Sequence, residues 1–164
     1  MHLFGWKVFQ QIKKILYNLN MKITYPPVIL LSALIVQSVL YFTYPVLLNL
    51  SIFFGIFVVL LGIILVYISL KKLSKMETTF IPDGEPIKLV VDGPFRISRN
   101  PTYLGMLLIL LGTALSLQSL SSLMVAAVFF LIINFTWIRH EENKLSEIFK
   151  DDWQDYSSKT RRWL

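Results

Sequence analysis

Two long stretches of this chain, residues 23–70 and 100–138, carry no formally charged side chain. All 16 Lys and Arg residues fall within 1–22, 71–99 and 139–162, and all ten Asp and Glu residues within 77–92 and 141–155. A water-soluble domain distributes charge over every surface element. Segregation of this kind selects an integral membrane protein with one wetted end. Composition agrees: 55% of the residues are apolar and 16% charged, with a mean hydropathy of +0.61. The net charge of +6 marks the ends of apolar segments. It therefore does not point to nucleic acid as a partner; membrane lipids are the expected surroundings.

A spanning helix needs roughly 20 apolar residues. Residues 50–70 meet that length, while 28–44, opened by Pro26-Pro27 and closed near Pro45, are marginal. The uncharged linker 43–49 makes these two a hairpin, residues 26–70. Residues 100–138 hold two more apolar runs, Tyr103 to Leu117 and Leu120 to Ile138, separated by a tight turn. The expected fold is therefore all-α, a single domain spanning 1–164 with about four transmembrane helices in two hairpins. Residues 2–19 repeat Phe4, Val8, Ile12, Ile15, Leu16 and Leu19 at helical spacing. An amphipathic helix over 1–22 follows, lying on the membrane interface or packed against the rest of the protein. Residues 71–99 form a structured polar loop with turn signals at Asp83-Gly84 and Asp92-Gly93, and Ile87 to Val91 read as a short extended segment. Residues 139–164 form an amphipathic tail, with Trp153, Tyr156 and Trp163 as interfacial anchors and Arg161 and Arg162 as headgroup contacts. The far-side linkers 43–49 and 116–122 lack Lys and Arg, so both termini and the 71–99 loop are expected in the cytoplasm.

Soluble-enzyme chemistry is largely excluded. There are no cysteines and only two histidines, His2 and His140, so no metal site is expected. No dinucleotide or P-loop motif occurs. Gly55 and Gly62, like Gly105 and Gly112, lie seven apart and suit close helix approach. Two polar clusters remain at the wetted end. In the first, LVVDGPFRISRNPTYLG (89–105), Asn100 has the character of a helix N-cap and Pro101 of the first helical residue. That helix start exposes backbone N–H groups suited to a carboxylate, with Arg96 and Arg99 nearby. In the second, RHEENKL (139–145), Glu141 and Glu142 sit at the end of a spanning helix, where they oppose its dipole. They suit a hydroxyl-bearing or cationic ligand, or a plain solvated face.

The first of these runs resembles LVxxGPYxxxRHPxYxG of the isoprenylcysteine carboxyl methyltransferase and phospholipid methyltransferase superfamily. EENKLSEIFKDDWQDY (141–156) is similar to that superfamily's EExxLxxxFGxxYxxY, and the order of motif, hairpin, acidic pair and tail is the same. The resemblance covers about 77–163. It implies a membrane enzyme binding S-adenosyl-L-methionine, with S-adenosyl-L-homocysteine as product, in a cytosolic pocket capped by the C-terminal segment. A lipophilic methyl acceptor, lipid or small molecule, would arrive from the bilayer. By position, Ile87, Lys88, Leu89 and Val90 match the extended segment lining the cofactor, and Phe95 the neighbouring aromatic. Asn100, Pro101, Thr102 and Tyr103 match the HPxY turn, and Glu141 with Glu142 the acidic pair.

Tyr103 and Glu141 are expected to position the cofactor, Arg139 is expected to meet the acceptor or its headgroup, and Arg139 and Glu141 are the catalytic candidates. Asn100 replaces a His, so it cannot serve as an acid, and Lys150 replaces a Gly in the tail. Trp137 stands where prenylcysteine-specific enzymes have Arg, which argues against prenylcysteine as acceptor. Two other readings share the sequence. One is a non-catalytic membrane scaffold that keeps the fold, motivated by Asn100 and the small size. The other is a sterol-reductase-like enzyme, which would need additional helices.

Overall fold

The structure, a computed structural model, describes residues 25–44, 46–48, 51–76 and 86–164. The expected amphipathic helix over 1–22 and the turn at Asp83-Gly84 lie outside the described residues. Five α-helices follow one another: α1 (Pro26–Thr43), α2 (Ile52–Lys75), α3 (Pro101–Ser116), α4 (Leu120–Ile133) and α5 (Arg139–Lys159). A 3₁₀ turn, Gly93–Arg96, precedes α3, and a π-helical turn, Asn134–Ile138, joins α4 to α5. The described residues include no β-strand, and Leu47 and Ser119 form a single antiparallel bridge where the two far-side linkers meet. The chain is an all-α membrane bundle.

Length and hydrophobicity decide which helices can cross a bilayer. α1, with 18 residues, α2, with 24, and the run from Leu120 are long and apolar enough. α3 has 16 residues, or about 24 Å at 1.5 Å per residue, short of the roughly 30 Å hydrocarbon core. Its position explains how so short a helix is accommodated. α3 is the central helix, with Leu110 and Ala114 fully buried, and it packs on α2, α4 and α1. The first expected hairpin is not a packed pair: α1 and α2 barely touch, α1 lying on α4 and α2 along α3.

Glycine sets the α2–α3 distance. A Cβ placed on Gly62 would lie 2.6 Å from the Gly105 carbonyl oxygen, and one on Gly105 would lie 2.8 Å from the Gly62 carbonyl oxygen. Gly55 and Gly112 stand in the same relation, at 2.8 and 2.7 Å. The two seven-residue spacings are thus one antiparallel interface of backbone against backbone. In lipid, where apolar burial no longer drives helix pairing, such close packing holds the pair. α1 is pinned by a polar contact instead. The fully buried Gln37 donates from Nε2 to the Leu110 and Ser122 carbonyls, each at 3.0 Å, and Ser122 Oγ donates to the Gln37 carbonyl.

The spanning helix does not end at Ile138. Through the π turn it runs on into α5, so Glu141 and Glu142 lie inside a long helical segment, and the expected conflict with a C-terminal dipole does not arise. α5 bends sharply at Lys150, whose φ of 42° and ψ of −109° mirror the extended region and favour glycine. The bend lets 151–164 return over the polar end of the bundle. Trp153 and Tyr156, expected as interfacial anchors, are instead buried with Val90 and Phe95 in a second apolar cluster outside the main core.

Gly62→Val is expected to destabilise by roughly 1–3 kcal/mol through overpacking. That is about 2–4 °C of melting midpoint per kcal/mol for a chain of this size. Phe53→Ala, at a side chain 83% exposed on the lipid-facing surface, should leave the midpoint in detergent almost unchanged. Equal losses in the two variants would refute the backbone-contact account. At the bend, strain of roughly 1–3 kcal/mol is relieved by glycine. Lys150→Gly should therefore melt no lower than the wild type and Lys150→Val clearly lower.

Candidate active site at the mouth of the bundle

The polar end of the bundle contains a cavity of about 300 Å³. It opens at the seam between the two apolar clusters, with Tyr103 and Met106 on the bundle side and Val90, Phe95, Trp153 and Tyr156 on the other. Four separate chain segments supply its wall: the start of α1, the end of α2, residues 86–106, and α5 with its bend.

Residues 86–92 carry no regular structure and pair with no strand. Ile87 and Lys88 are exposed, Leu89 is half-buried and Val90 is buried. Gly93, at φ 64°, and Pro94 turn the chain sharply, and the 3₁₀ turn directs Phe95 inward. Two bonds hold this turn. Tyr156 Oη donates to the Phe95 carbonyl at 2.7 Å. Burial pushes the Tyr156 phenol up to about 12, opposed by the Arg99 charge and assisted by Glu142, so this donor keeps its proton at physiological pH. Lys72, at the end of α2, donates to Asp92 at 2.5 Å, and that bond holds the Asp92 carboxyl below the usual carboxylate range.

α3 begins at Asn100-Pro101 as the residues predict, and the Asn100 carbonyl accepts the first helical bond from Leu104 N–H. The Asn100 side chain does not cap the helix. Its Nδ2 donates to the Arg162 carbonyl at 3.1 Å. Thr102 and Tyr103 belong to the first turn, whose N–H groups have no intrahelical acceptor. Tyr103, 7% exposed, donates its Oη–H to Glu141 Oε1 at 2.5 Å, the length of a charge-assisted O–H···O⁻ bond.

Neighbouring acids take different roles because a helix turns about 100° per residue. Glu141 faces the cavity. Glu142 faces the tail, where Arg162 binds it at 3.2 and 2.5 Å and Arg99 Nη2 approaches to 3.2 Å. Arg99 lies 5.6 Å from the centre of the Trp153 ring and donates to the Ser157 carbonyl. The tail is tied further by Arg99 N–H to the Arg161 carbonyl, Ser98 Oγ to the Arg162 carbonyl, and Trp163 Nε1 to Asn134 Oδ1. Arg162 is therefore an internal tether, not the headgroup contact that its place in a basic tail suggests.

Of the residues expected at the site, Lys88, Leu89, Val90, Phe95, Asn100, Pro101, Thr102, Tyr103 and Glu141 line the cavity. Ile87, Glu142 and Arg139 do not. Arg139 precedes Glu141 by two positions, about 200° around the helix, and lies exposed on the opposite face. The wall also holds Tyr25, Pro26 and Pro27, Leu70 and Leu73, Met106, Lys144, Leu145, Trp153 and Tyr156. A sequence signal existed for Lys144 and Leu145, which share the Glu141 face at i+3 and i+4. The start of α1 gave none, because only tertiary packing brings it here. Among the described residues no cluster of His, Cys, Asp or Glu could hold a metal ion.

This wall combines flat apolar surface, a half-buried carboxylate, cations and the open N-terminal end of α3. Nucleoside, amino and carboxylate groups can therefore be held together beside a hydrocarbon surface, and about 300 Å³ lies at the lower end of small-molecule sites. A profile of the phospholipid methyltransferase family matches residues 50–152. An uncharacterized protein of Haemophilus influenzae is 40% identical over 62 residues, 38% of this chain and 98% of that protein. No solved structure matches the chain. The profile spans α2, the turn carrying Phe95, the Tyr103 end of α3, and Glu141, which supply much of the cavity wall. The chain belongs to the phospholipid methyltransferase family, within the isoprenylcysteine carboxyl methyltransferase-like superfamily of integral membrane proteins.

Proposed function

We propose that the chain transfers a methyl group from S-adenosyl-L-methionine to a lipid or lipophilic small molecule at the charged end of its bundle. The observation that carries this reading is the Tyr103–Glu141 pair, set in a cavity wall between an apolar bundle and an apolar cap. Placement of the basic residues assigns that end to the cytosol, where the cofactor is available.

When bound, S-adenosyl-L-methionine supplies a methyl group already activated by its sulfonium. The residues are left with orientation, dryness and a proton to handle. Glu141, fixed by Tyr103, suits the amino group or ribose hydroxyls of the cofactor. The N-terminal turn of α3, with Lys88 and Lys144 in the same wall, suits its carboxylate. Phe95, Leu89 and Trp153 offer flat apolar surface to a purine. Glu141 is also the carboxylate of this wall that can take the proton an acceptor gives up.

Titration calorimetry of the purified chain in detergent with S-adenosyl-L-homocysteine tests the reading. Binding is expected, and none at millimolar ligand would leave the scaffold reading in its place. Glu141→Ala removes an ionised partner worth about 1.5–3 kcal/mol. It should therefore weaken binding by roughly tenfold or more. Glu141→Gln should lose less, since its amide oxygen still accepts from Tyr103. Tyr156→Phe strands the buried Phe95 carbonyl at a cost of about 1–3 kcal/mol. It should lower the melting midpoint and loosen the cavity, so affinity falls with it.

A further inference from the structure

The line of buried residues along α4 breaks before α5 begins. Ser122, Ala126, Phe129 and Ile133 are buried at steps of 4, 3 and 4, the spacing of one face of an α-helix. Continued without interruption, that face reaches His140. At about 100° per residue, His140 falls about 20° from the line of Ile133, and Glu141 about 80° from it. The structure has the opposite arrangement. His140 is exposed beside Arg139, while Glu141 lines the cavity and is bonded to Tyr103. Lys144 and Leu145 line the same wall one turn further on.

The π turn Asn134–Ile138 accounts for the difference. Its hydrogen bonds close over five residues in place of four, so the turn takes in one extra residue. Each residue after it therefore sits where its predecessor would sit in an unbroken helix. Trp137 and Ile138 are both buried as a result. Glu141 takes the place of His140, and Glu142 takes the place of Glu141, facing Arg99 and Arg162. The tail packs on the start of this turn. Asn134 Oδ1 accepts from Trp163 Nε1 at 3.0 Å, and the Trp163 ring centre lies 4.8 Å from that of Phe130.

We infer that this one-residue shift of register selects the carboxylate of the cavity, an inference that rests on the cofactor site proposed above. In the unshifted register Tyr103 would meet the His140 imidazole, and Glu141 would face the tail in place of Glu142. An imidazole brings no negative charge to the amino group and sulfonium of the cofactor, and a carboxylate does. Two adjacent acids thus serve two tasks on one helix, and the π turn fixes which acid has which.

Calorimetric titration of the full chain in detergent with S-adenosyl-L-homocysteine, with melting midpoints recorded alongside, tests this on three variants. Deletion of Phe135, an exposed residue of the turn, shortens the turn to α-helical length and keeps Glu141 in place. Its affinity should stay within roughly threefold of the wild type, no more than the effect of one hydrogen bond. A single alanine inserted between Ile138 and Arg139 rotates Glu141 by about 100° and brings His140 into its position. Affinity should then fall by about tenfold or more, as for Glu141→Ala. His140→Glu in the insertion variant returns a carboxylate to the cavity while Glu141 faces the tail, and should recover most of that loss. A role confined to stability predicts no such recovery. If the deletion variant melts early, the insertion variant with and without His140→Glu carries the comparison. A deletion variant of unchanged midpoint that loses affinity as strongly as Glu141→Ala overturns the inference. So does an insertion variant that binds like the wild type, or one that His140→Glu fails to improve. Failure of the wild type to bind S-adenosyl-L-homocysteine instead removes the methyltransferase reading itself.

Discussion

Backbone contact between α2 and α3 at Gly55, Gly62, Gly105 and Gly112 places almost everything else. Helices in a bilayer gain little from excluding water from one another, so their approach is governed by how closely their surfaces fit. With four glycines facing in pairs, α3 sits deep against α2 and receives α1 and α4 on its other sides. A helix of only 16 residues can then occupy the centre, because protein surrounds it. Its first turn lies at the wetted end, where Pro101, Thr102 and Tyr103 line the cavity.

The cap over that recess depends on charge and aromatic packing in equal measure. Glu142 holds Arg99 from the loop and Arg162 from the tail, while Trp153 and Tyr156 seat Val90 and Phe95. Both guanidiniums are partly shielded from water, so these pairs are stronger than pairs on an open surface, where an ion pair contributes little. Asn100 belongs to the same arrangement through the Arg162 carbonyl. Its amide is engaged in holding the tail, which gives the residue a structural reason to be Asn without any part in proton transfer. Lys150 completes the cap by accepting a backbone conformation that a side chain resists.

Several features could be read directly from the residues. Charge segregation marked the membrane spans and the wetted end, because formal charge is excluded from hydrocarbon at a high energetic cost. Asn100-Pro101 announced the start of α3, and the spacing of the glycines announced two contact faces. The motifs around Phe95, Tyr103 and Glu141 located most of one wall of the cavity. Arg139 was misplaced by proximity in sequence, which a helix converts into opposite faces after two residues. Trp153 and Tyr156 were mistaken for interfacial anchors because an amphipathic pattern specifies a buried side without saying what covers it.

The sequence by itself determined that this is a helical membrane protein with its polar chemistry gathered at one end, since hydropathy and charge act residue by residue and need no partner. Tertiary structure alone decided that α1 packs on α4 and not on α2, that Glu141 and Glu142 separate into cavity and tether, and that Tyr25 reaches the same cavity as Trp153. Those outcomes depend on distances between segments far apart in the chain. Such distances are set by the fit of whole surfaces, which no local pattern records.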